Sequence, residues 1–108
     1  MKTITIIVPI DRSRGVKLLT LLEMFSKNAV VKLKDIWAII PRSTFYALLY
    51  RLKLLAQVVK QRHSFDLFLF ETKFDFDNRK EYKIMRLNSS IQIVNVEGSV
   101  FVEFVKEL

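Results

Sequence analysis

The chain has 108 residues, 51% of them apolar, with two glycines, two prolines and no cysteine. That length supports one hydrophobic core, so a single domain spanning 1–108 is expected; disulfides, a cysteine nucleophile and thiolate zinc sites are excluded. The net charge of +7 is uneven: residues 1–64 hold twelve Lys/Arg and three Asp/Glu, residues 65–108 hold six and eight, so a half suited to polyanions precedes a near-neutral one.

Residues 1–10 alternate Ile4 and Ile6 with Thr3 and Thr5 and read as an N-terminal strand. Their apolar run is too short for a signal peptide or a bilayer span. A cytoplasmic location is therefore expected, or a host cytoplasm for a viral or plasmid gene, with no membrane partner. A three-helix core is expected over 14–57. Its first helix, Val16 to Ser26, turns Leu18, Leu21, Leu22 and Phe25 inward and Lys17, Thr20, Glu23 and Lys27 outward. Ala29-Val30-Val31 is a candidate short strand leading into the second helix, Leu33 to Ile40. That helix stops before Pro41, because proline disfavours the helical conformation in its predecessor.

Arg42-Ser43-Thr44 opens the third helix, with a Ser or Thr oxygen available to cap free backbone N–H groups. At 100° per residue, Phe45, Leu48, Leu49, Leu52, Leu55 and Ala56 share a buried arc. Ser43, Ala47 and Tyr50 point the opposite way, flanked by Tyr46 and Arg51. No acidic residue lies between Asp35 and Asp66, as a phosphate-facing surface requires.

Residues 58–88 are expected to form a hairpin, with strands Phe65–Phe74 and Lys80–Leu87 and a polar tip at 75–80. Residues 89–108 read as a second hairpin, Ile91–Val96 and Val100–Val105, turned by Glu97-Gly98. In the first of these strands Phe65, Leu67 and Leu69 alternate with Phe68 and Phe70, so both faces need cover. The N-terminal strand and C-terminal hairpin can supply it, or another copy of the chain.

Two helices around a tight corner form the helix-turn-helix layout, which offers the second to a DNA major groove. Pro41-Arg42-Ser43-Thr44-Phe45-Tyr46, followed by leucines at 48, 49 and 52, resembles the recognition-helix entrance of winged helix-turn-helix transcription regulators. The likeness is to small archaeal and bacterial regulators of the PadR and MarR kind, and covers roughly residues 16–88. It implies an α+β winged helix-turn-helix: three helices and a β-hairpin wing, here with an extra N-terminal strand and C-terminal hairpin. It also implies sequence-specific binding of double-stranded DNA by a transcriptional regulator, a homodimer with its third helix in the major groove and no cofactor. Arg42, Ser43, Thr44 and Tyr46 match the backbone-contacting entrance, Ala47, Tyr50 and Arg51 the base-reading face, and Arg79 and Lys80 the wing tip. Ala56-Gln57 stands where the family ends this helix with glycine, so the helix is expected to run further or end irregularly.

Two other classes compete. A winged helix can serve as a protein–protein adaptor without touching DNA, and exposed Tyr46 and Tyr50 suit that role too. Glu71-Thr72-Lys73, with Asp66 upstream, is similar to the Glu-x-Lys of metal-dependent nucleases. Asp66 and Glu71 lie five apart and face opposite sides of a strand, so the second carboxylate has to come from Asp35, Asp75 or Asp77. His63 reads as a solvated or satisfied histidine rather than a metal ligand. No glycine-rich phosphate loop is present, and no hydroxyl has a histidine–carboxylate arrangement nearby. A non-enzyme is expected.

Overall fold

The computed structural model describes residues 2–108, with only the backbone described at 12–14. The β-branched N-terminal segment is strand β1 (Thr3–Ile10), with Ile4 buried and Thr3, Thr5 and Ile7 exposed; Met1 of the expected strand lies outside the described residues. Helix α1 (Arg12–Lys27) buries Leu21, Leu22 and Phe25, the leucine–phenylalanine face its spacing predicts. It begins before the expected Val16. Strand β2 (Val30–Lys32) then leads directly into α2 (Leu33–Ile39), and α3 (Arg42–His63) follows. Strands β3 (Phe68–Asp75), β4 (Lys80–Leu87), β5 (Ser90–Val96) and β6 (Ser99–Glu107) complete the chain.

Among the described residues, six strands form two antiparallel sheets, ordered β1-β6-β5 and β2-β4-β3. Wing, N-terminal strand and C-terminal hairpin alone would make five. The sixth is β2, whose Val31 is buried and lies opposite Met85 of β4. Burial of that one valine holds the short strand in the sheet.

Two expected boundaries move. The three-helix core does not end at residue 57, because α3 continues to His63 and residues 58–63 are helix rather than hairpin. With no glycine at 56–57, Val59 adds another buried position to the helix's inner face. Ser64 ends the helix in a left-handed conformation (φ 62°), its N–H donating to the Lys60 carbonyl at 3.0 Å. Phe65 and Leu67 precede β3 and are buried in the connection instead of belonging to the strand. The turn at Glu97-Gly98 falls where expected: both residues have positive φ (50° and 83°), the signature of a two-residue type I′ hairpin.

Both sheets and all three helices contribute to one apolar core, and among the described residues no polar or charged side chain is buried in it. Phe68 of β3 lies 6.2 Å from the ring of Phe25 in α1 and 6.5 Å from that of Phe104 in β6, the second contact edge-on. Phe68 thus ties its sheet directly to the other and also to α1, each contact adding about 1 kcal/mol beyond area burial. Asn88, between β4 and β5, fastens the same junction by polar bonds. Its backbone N–H donates to Leu67 and its side-chain amide to the Asp66 carbonyl, while its Oδ1 accepts from Lys106 Nζ at 2.7 Å. Phe104 is 1% exposed, so Phe104→Ala removes both ring volume and the link between sheets. Urea denaturation is expected to show a loss of about 3–5 kcal/mol.

Candidate nucleic-acid interface

The corner between α2 and α3 takes two residues. Ile40 leaves the helical conformation with its side chain fully buried, its N–H still bonded to Ile36 at 2.7 Å. Pro41 is the N-cap of α3, its carbonyl accepting the N–H of Phe45 at 2.8 Å, and no side chain caps this end. The expected hydroxyl cap is therefore corrected. The helix starts at Arg42, which puts Ser43 and Thr44 inside the first turn rather than ahead of it. The first-turn N–H groups have no acceptor within the helix.

Arg42 is held by its neighbour across the corner, with its guanidinium carbon 4.2 Å above the Trp37 ring. Stacking restricts the long side chain while leaving its N–H edges free to bond an anion. The outward arc of α3 presents Ser43, Tyr46, Ala47, Tyr50 and Arg51 as exposed residues, while Thr44 is half-buried. Phe45, Leu48, Leu52 and Val59 are buried opposite, and Leu49, Leu55 and Ala56 are half-buried. Leu54 and Val58 are also exposed, at 46% and 44%. They extend the outward face below Tyr50 at four-residue steps, and a reading confined to the helix entrance misses them.

At the tip of the β3–β4 hairpin, Asp75 closes the turn. One carboxylate oxygen accepts from the backbone N–H of Asp77 at 3.1 Å and that of Asn78 at 3.4 Å, and the other accepts from the Asn78 side-chain amide at 2.8 Å. These bonds, led by the Asn78 amide, hold its carboxyl below the usual carboxylate value. Arg79 adopts φ 51° and is exposed, as is Lys80. Lys32 and Lys34, which flank the start of α2, join Lys80 around a concavity of about 380 Å³ that Asp75 and Glu81 also line. The Lys32 ammonium sits 5.0 Å from the Tyr82 ring centre. Sequence reasoning singled out neither lysine; the only signal was a Lys-Leu-Lys at the helix entrance.

The first half of α3 faces the hairpin across a cavity of about 360 Å³ lined by Trp37, Tyr46, Leu49, Phe70 and Thr72 among others. The Trp37 indole N–H is buried with no hydrogen-bond partner among the described residues. Of the residues considered for a nuclease centre, Glu71 and Asp66 are engaged in ion pairs. Glu71 bonds Arg86 at 2.9 Å and Lys73 at 3.3 Å, and Asp66 lies 3.6 Å from Lys60. Among the described residues no group of three or more histidines and carboxylates is placed to hold a metal, and no helix is long and apolar enough to cross a membrane. No protein-family model, curated protein or solved structure matches the chain.

Because the Asp75 carboxyl is depressed in the folded state, the bonds it makes are present at neutral pH and lost as pH falls through its folded value. An NMR titration of its carboxyl carbon is expected to give a midpoint below that of a free aspartate. Asn78→Ala, which removes the leading cause, is expected to raise it.

Proposed function

We propose that this chain is a winged helix-turn-helix protein that binds double-stranded DNA sequence-specifically as a transcriptional regulator, with α3 in the major groove and the β3–β4 hairpin as the wing. The observation that carries the reading is the outward face of α3. It starts at a sharp two-residue corner and exposes hydroxyl, small and aromatic residues beside Arg42 and Arg51. The chain bears no carboxylate from Ile36 to Phe65 to repel a phosphate. A small residue, Ala47, lets the helix approach base edges, while Ser43, Tyr46, Tyr50 and Arg51 supply groups that bond bases or backbone. The element order from α1 to β4, and the sheet order β2-β4-β3, support the fold assignment. The basic tip residues Arg79 and Lys80, with Lys32 and Lys34 nearby in the fold, supply further phosphate contacts.

A protein-binding winged helix is the second reading, favoured by exposed Leu54 and Val58, which have nothing to bond on DNA. Salt dependence separates the two. Neutralising ~4–6 phosphates per subunit gives a slope of log affinity on log salt of about −4 to −5, whereas an apolar protein interface responds weakly. Gel-shift titrations across salt are expected to show that slope, and no binding at low salt overturns the reading. In the same assay Arg42→Ala and Thr44→Ala are expected to weaken specific and random duplexes alike. Tyr50→Ala and Arg51→Ala are expected to reduce the preference for the specific site, by ~1–3 kcal/mol for each base contact removed.

A further inference from the structure

We infer that the open edge of β3 is a self-association surface, on which a second copy of the chain pairs antiparallel about a two-fold axis at Thr72. This goes beyond the DNA reading and does not depend on it. Strand β3 is the outer strand of its sheet, hydrogen-bonded to β4 alone. It pairs with β4 along its whole length in one continuous register, from Phe68 opposite Leu87 to Asp75 opposite Lys80. No bulge, proline or glycine interrupts it, so of the usual devices that keep an edge from pairing it carries only charge, at Glu71, Lys73 and Asp75.

The edge is also apolar where an edge is normally polar. Phe70 and Phe74 are 48% and 46% exposed, and Phe76, just beyond the strand, is 83% exposed. Phe74 and Phe76 pack edge-on at 4.8 Å, which holds both rings at the end of the hairpin. At ~200 Å² per phenylalanine ring, these three leave roughly 350 Å² of apolar surface per copy. That approaches half of the ~800 Å² a standard interface buries on each side, before any strand backbone is added.

The charges choose the occupant. With Thr72 on the axis, Glu71, which also bonds Lys73 and Arg86 of its own chain, falls opposite Lys73 of the second copy, Lys73 opposite its Glu71, and Phe70 opposite its Phe74. Directly opposed residues are the strongest side-chain neighbours in an antiparallel pair, so both ion pairs and both aromatic pairs support this register. Moving the axis one residue toward the N-terminus, to Glu71, sets two glutamates against each other. Moving it one residue the other way, to Lys73, opposes two lysines and brings Glu71 against Asp75. Only the Thr72 register of these three is free of like-charge pairs. The other edges offer no such match: β2 has three residues, β1 carries Pro9, and β5 has no charged residue to fix a register. Residues 65–108 are nearly neutral, so two copies meet there with little repulsion, unlike the basic half. Opposed residues of an antiparallel pair share a face, so both α3 helices would lie on one side of the resulting six-stranded sheet.

Charge reversal tests the register directly. Glu71→Lys opposes lysine to lysine across the axis, and Lys73→Glu opposes glutamate to glutamate. An equimolar mixture of the two variants restores opposite charges at every position. Sedimentation at micromolar concentration is expected to give the wild type at twice its 12.8 kDa chain mass. Each variant alone is expected to dissociate at least ~10-fold more readily, and the mixture to recover the dimer. A wild type that stays monomeric, variants as dimeric as the wild type, or a mixture that stays monomeric overturns the proposal. Since the chain has no cysteine, Thr72→Cys adds a check that does not require either charge variant to fold. Mild oxidation is expected to convert most of it to a disulfide-linked dimer, and failure to cross-link overturns the register. A monomer that still binds DNA with the salt slope above removes this inference and leaves the DNA reading standing.

Discussion

Phe68 sits where the two sheets and the first helix meet, with Phe25 on one side and Phe104 on the other. A chain of this length cannot give each of its two sheets a separate core, so one core has to serve all the elements. The burial pattern reflects that constraint: α1 gives Leu21, Leu22 and Phe25, α3 gives Phe45, Leu48, Leu52 and Val59, and β6 gives Val102 and Phe104 to the same cluster. The bonds of Asn88 lie at the same junction and satisfy backbone groups where the chain passes from β4 to β5. With the core shared in this way, the inner face of α3 is fixed. Its outer face is then free to be selected for binding.

Where a pattern is local, the residues announce it. The leucines of α3 and the phenylalanine and leucines of α1 recur at helical spacing, and their buried faces follow from that spacing alone. Pro41 marks the corner and Glu97-Gly98 the type I′ turn, because each has a conformational preference strong enough to act without context. The end of α3 is marked only by an absence: the lack of a glycine at 56–57 implies that the helix runs on, but not how far. Ser64 has little intrinsic preference for the left-handed cap it adopts, and the burial of Val59, visible only in three dimensions, accounts for the added turn that takes the helix to His63. Phe65 and Leu67 look like strand residues in the sequence because apolar alternation is the same in a buried connection. The sixth strand, β2, coincides within a residue with the candidate strand Ala29–Val31, but at three residues it depends on β4 for its existence.

The outward face of α3 was legible for the same reason as its inward face: angle along the helix assigns both. The expected hydroxyl cap was not, since Pro41 takes that position and leaves Ser43 and Thr44 within the first turn. Contacts made across the chain were hidden as well. Arg42 over Trp37, and Lys32 and Lys34 beside Lys80, depend on the corner and the hairpin being folded. From sequence, Asp75 is a residue of the polar hairpin tip and a candidate carboxylate partner for Glu71. In the structure its oxygens are engaged by Asp77 and Asn78, so it shapes the turn that presents Arg79 and Lys80.

In the proposed reading, a basic, carboxylate-free helix face meets DNA while the near-neutral strands meet a second copy, so the two surfaces of the molecule carry opposite electrostatic requirements. The measurement that bears most directly on this division is an amide NMR titration with a short duplex at low salt. Binding by α3 is expected to shift the resonances of Arg42 to Arg51 and of Arg79 and Lys80, while those of β1, β5 and β6 stay in place. Shifts confined to the β1-β6-β5 sheet, or none at all, would contradict it.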